Sequence, residues 1–149
     1  MTLLADQVGK RLAAARPDAT IERSRRSEPG EGEGMPIIGY TMPASLAVAT
    51  ELQVPGESVW TADIPVRGWA VGDDDALAEA ALAQLASDVI EALVDQPLTR
   101  PDGGDLTTGL EMINVSATLF PAEESSTAAG SFEAIFRATV FAPAGRTSL

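Results

Sequence analysis

Neither cysteine nor histidine occurs anywhere in this 149-residue chain. The first absence excludes a disulfide framework and a thiolate metal site. The second removes the commonest general base and metal ligand near neutral pH. Lysine occurs once, at Lys10, so a serine–lysine pair has a single place to form, in a segment crowded with its own charges. Aromatics make up only 5% of the residues against 45% hydrophobic overall, which points to a core of small aliphatic side chains. No run approaches the roughly 18 apolar residues that a membrane helix needs. The opening "MTLLADQVGKRL" places Asp6 inside its apolar part, unlike a secretory signal. The expectation is a soluble protein made in a cytoplasm, with no membrane partner, no metal and no cofactor.

The net charge of −12 is spread unevenly. Residues 1–26 carry six basic and three acidic groups, net +3, and the rest carry four basic and nineteen acidic groups, net −15. So acidic a chain repels nucleic-acid phosphates and is a poor candidate for gripping them, though DNA can slide past it. "GEGEG" has the glycines of a phosphate cradle but alternates them with acids and lacks the Gly-Lys-Ser/Thr of a P-loop. "PDGGD" reads as a plain turn. No carboxylate pair is set in an apolar pocket, and no nucleophilic triad can be assembled, so no enzyme activity is expected.

What is present is pattern. Leu4, Val8 and Leu12 share one helical face, with Thr2 placed to cap the helix and Pro17 to stop it. A short strand in "TIERSRR" follows, then "SEPGEGEGMP", which cannot bury enough to order itself and is expected as a mobile loop over about 27–36. Residues 37–54 alternate with a period of two, and "SVWTADIPVRGWAV" resumes that alternation after a Pro-Gly turn, predicting a long antiparallel hairpin. Pro65 inside the second strand predicts an edge position or a bulge. In "VGDDDALAEAALAQLASDVIEALVDQP", Leu77, Ala81, Leu85, Val89 and Leu93 recur every four residues, an amphipathic helix. The three aspartates are its start, with Asp73 as cap, because carboxylates gain about 0.3–1 kcal/mol each beside the exposed amides of a first turn. A calcium loop would need further oxygen ligands at set spacing, and these are missing. After a polar linker over 96–109, "LEMINVSATLF" predicts a strand with Ile113, Val115, Ala117 and Leu119 on one face, and "SFEAIFRATVFA" predicts its partner. The tail from about 143 to 149 reads as loose.

The expected architecture is a single α+β domain over 1–149, a mostly antiparallel sheet of hairpins packed by an N-terminal helix and one long central helix. The sheet is not cleanly one-sided, since Ala47, Ala49, Val59, Ile135 and Phe141 lie opposite the main apolar rows. Either a second subunit packs there or the helices divide between the two faces.

The order of elements, with "PIIGYTMPASLAVATEL" and above all the stretch from Trp60 to Leu93, resembles the tail terminator (tail-completion) proteins of long-tailed bacteriophages. The resemblance covers nearly the whole length and carries no catalytic motif. It implies a homo-oligomeric ring, expected as a hexamer, at the tail–neck junction of the virion. Such a ring caps the tail tube protein, docks the neck or connector protein, and lets DNA pass through its lumen without specific binding. On that reading Glu51, Asp63 and Glu133 are candidate lumen-facing acids, and Arg23, Arg25, Arg26, Ile135 and Phe141 are candidates for the subunit interface. Other neck, connector or tail-tube proteins share a similar architecture. A small-molecule or peptide-binding α+β module with a pocket near Trp60 and Trp69 is the alternative.

Overall fold

The computed structural model describes residues 2–25, 27–29, 33–42, 47–48, 57–120 and 128–143. In chain order these form α1 (Thr2–Ala15), β1 (Thr20–Arg23), β2 (Ile37–Tyr40), β3 (Ala47–Val48), β4 (Glu57–Gly72), α2 (Asp75–Leu93), β5 (Glu111–Phe120) and β6 (Ala128–Pro143). The sheet runs β1-β2-β4-β6-β5, with β3 also paired to β4. Every pairing is antiparallel except β1 with β2. The fold is α+β, as the alternation of hairpins and amphipathic helices predicts.

Along β4 and β6 the pairs Ala62–Ala138, Ile64–Phe136 and Val66–Ala134 point to one face of the sheet. Both helices lie on that face. Leu4, Val8 and Leu12 of α1 and Leu82, Leu85 and Val89 of α2 join these strand residues in one buried cluster. Among the described residues the reverse face carries no helix, so of the two arrangements left open by the sequence, they do not show the one with helices on both sides. Arg11 ties the helices at one end, donating to the carbonyls of Ala92 and Pro97, and Arg16, just past the end of α1, reaches Asp88 of α2.

Several expectations need correction. The N-cap of α2 is Asp74, not Asp73: its backbone is extended and its carboxylate accepts from the Leu77 amide at 2.8 Å. Thr2 already lies inside α1. Pro65 sits in β4, a central strand, yet β2 pairs with residues 66–69 and β3 with 60–61. Pro65 therefore falls between these two partners, and its carbonyl still accepts from the Thr41 amide at 3.1 Å. The expected strand over 37–54 is described as strand only in β2 and β3, both antiparallel to β4; apart from Thr41 and Met42, its remainder lies outside the described residues. The 96–109 linker is more than a polar crossing. Leu98, Leu106 and Thr107 are buried, and the Thr107 hydroxyl accepts from the Leu98 amide at 3.0 Å.

The largest departure is β5. Its register places Val115, Ala117 and Leu119 on the helix side of the sheet, opposite Ala134, Phe132 and Gly130, as the alternation predicts. Yet every residue from Glu111 to Phe120 is exposed. Periodicity identified the face, but α2 lies over β4 and β6 and leaves β5 largely uncovered.

Candidate functional site

Two surfaces stand out, and the first is the reverse face of the sheet. The stretches "DIPVR" (63–67) and "EAIFR" (133–137) each place an arginine four residues after an acid, on the same side of a strand. Pairing them antiparallel with Pro65 opposite Ile135 brings each acid to the other strand's arginine. Arg137 donates from Nε and Nη2 to the two Asp63 carboxylate oxygens at 2.8 and 3.0 Å, and Arg67 Nε donates to Glu133. The result is a ladder of two ion pairs of alternating sign. The Arg137 guanidinium holds the Asp63 carboxyl below the usual carboxylate range, and Asp63 in turn raises Arg137. Shallow depressions flank the Arg67–Glu133 pair, one lined by Ser116, Thr118 and Trp69, the other by Arg25, Gly39 and Met42.

Asp63 and Glu133 thus share the reverse face as the sequence predicts, but each is neutralised by an arginine. Glu51 and Arg26 lie outside the described residues. Ile135 and Phe141 are half-buried on this same face. Arg25 is spoken for within its own chain. It stacks over Trp69 at 5.7 Å, donates to Glu22 and Glu33, and holds the Ser27 carbonyl, with the Glu33 and Glu22 hydrogen bonds raising its pKa. That leaves Arg23 as the exposed member of the expected cluster among the described residues. Trp60 and Trp69 lie on opposite faces of β4, nine positions apart, so no pocket is shared between them. Trp60 packs on the helix-side core, its Nε1 buried without a hydrogen-bond partner among the described residues.

The second surface was missed at the sequence level. Among the described residues, most of the exposed large hydrophobics lie along the β5 edge. Met112, Ile113, Val115, Leu119 and Phe120 lie on β5, and Leu119 and Phe120 border Asp75 and Ala78 at the start of α2, where Leu77 is also exposed. Val71 joins them across the sheet, since both Val71 and Phe120 pair with Ala129. The irregular step between Met112 and Asn114 marks a bulge, and its trace in the sequence is the break of alternation at Met112-Ile113. The paired arginines Arg67 and Arg137 were also missed, although the repeated acid-x-x-x-Arg spacing announces them.

No protein-family model and no curated protein matches the chain. Among solved structures, the fold is similar to a chain in the virion of a native gene transfer agent particle, with a TM-score of 0.54 and 19% identity. The superposition covers 91% of this chain and 92% of that one. At this identity the likeness is one of fold.

Proposed function

We propose that the chain is a non-enzymatic structural protein of a phage-like virion, and within that class a tail terminator. Copies form a ring, expected as a hexamer, that caps the tail tube and joins it to the neck, with DNA passing through the lumen. The observation that supports this most is the fold likeness to a virion chain over nine-tenths of both partners, 91% and 92%. A molecule with an uncovered edge strand rich in exposed apolar residues fits a life inside an assembly, because such an edge invites aggregation when left free.

On this reading the helix-free sheet face lines the lumen. An arginine on such a wall would bind passing phosphates, and Asp63 and Glu133 occupy Arg137 and Arg67 so that they do not. The sequence-derived role of these acids was repulsion; their geometry supports neutralisation instead. The carboxylates hold the wall non-adhesive, while the net charge of −12 keeps the rest of the surface repulsive.

Imaging of the particle with this subunit located tests the role. A single ring between tail tube and neck is the expected result. Density repeated along the tube, or a chain absent from the particle, overturns the terminator reading.

A further inference from the structure

We propose that the apolar edge strand β5 of one copy docks on the β1 edge of the next, so that the sheet continues from subunit to subunit. This rests on the ring reading above and names the surface that builds the ring. The described sheet has two edges, β1 and β5, and they are unlike. β5 is ten residues long, exposed throughout, and offers a row of backbone groups with no strand beyond it among the described residues. Its helix-side row of Met112, Val115 and Leu119 is exposed, with Val115 at 45%. Burying these side chains and pairing the open ladder are both favourable, and a second strand achieves both at once.

Charge selects the occupant. The β5 end is acidic: Asp73, Asp74, Asp75 and Glu79 are exposed on the start of α2, and Glu111 is exposed on β5 itself. The β1 edge belongs to the only basic part of the chain. There Asp18 is bound by Arg16 and Glu22 by Arg25, which leaves exposed Lys10 and Arg23 against Asp6. Half-buried Ile21 on β1 lies on the helix side, next to Ile38 in register, and meets the apolar row of β5. Pairing β5 with a second β5 would instead bring two acidic ends together. A β5-to-β1 contact is heterologous, and repetition of a heterologous contact closes into a ring when the rotation allows.

The absence of cysteine makes the contact directly testable. Thr20, Asn114, Ser116 and Thr118 are all exposed on the reverse face, at β1 and β5. Full-length chains carrying Thr20→Cys together with Asn114→Cys, Ser116→Cys or Thr118→Cys are oxidised gently, both as purified protein and in assembled particles. At least one pair is expected to give a ladder of cross-linked species ending in a closed ring. Mixing the two single variants should give only the mixed dimer. A dimer from Ser116→Cys alone overturns the proposal in favour of two-fold pairing. Oligomers seen by light scattering, or particles containing the chain, with no cross-link from any pair overturn this edge and leave the ring standing. A monomer in solution that is also missing from particles sinks both. Val115→Lys should leave the melting curve unchanged, because the residue is exposed, and weaken association at least about tenfold; unchanged association overturns the contact.

Discussion

Asp74 closes the first turn of α2, with Asp73 one position outside it. Single-residue shifts of this kind are invisible to composition, because three consecutive aspartates satisfy the same capping rule. The consequence is measurable. Asp74→Ala should cost about 1 kcal/mol in chemical denaturation, whereas Asp73→Ala should stay within about 0.5 kcal/mol. Asp63 gives a second expectation. Its folded carboxyl titrates below the unfolded value of about 3.9 because Arg137 holds the charged form. The pair therefore contributes stability above that pH, and the contribution disappears as pH falls through the lower folded value. Asp63→Asn should therefore cost a small amount of stability near neutrality, small because the pair is solvent-exposed, and the stability–pH curves of variant and parent should converge below about pH 4. Equal loss in variant and parent across that range would show that the pair is not coupled to folding.

Strands and helices meet at places where a side chain cannot be added. A Cβ on Gly72 would strike the backbone of Leu77 and Ala78, where β4 hands over to α2. Because the obstacle is backbone, it cannot swing aside as a side-chain tip would. Gly72→Ala should destabilise by about 1–3 kcal/mol, read as a lower thermal midpoint. The period-four and period-two patterns revealed α2, β4, β5 and β6 with nearly correct bounds, since periodicity is a local property of the chain. They could not reveal that α2 stops short of β5, which depends on where the helix settles across the sheet. Nor could they place Pro65 in the interval between β2 and β3.

The assembled chain presents one helix-covered face, one face crossed by paired charges, and two unlike edges. If the charge-crossed face borders passing DNA, releasing its arginines should make it sticky. The double variant Asp63→Asn, Glu133→Gln frees Arg137 and Arg67 for phosphate. It should bind double-stranded DNA more tightly at low salt, with the slope of log affinity against log salt steeper by roughly 2. Unchanged DNA binding, measured by titration over a range of salt, would remove that face from the lumen wall.

From residue order alone came the α+β class, the two amphipathic helices, the antiparallel hairpin pairing and the uneven charge. Each follows from side-chain period, turn chemistry or simple charge counting within a short window. Contacts between distant segments decided the rest. Both helices settled on a single face, Asp63 and Glu133 met arginines 74 and 66 positions away, and an apolar strand was left in water. Such outcomes depend on which surfaces run out of partners when the chain closes on itself, and no local window records that.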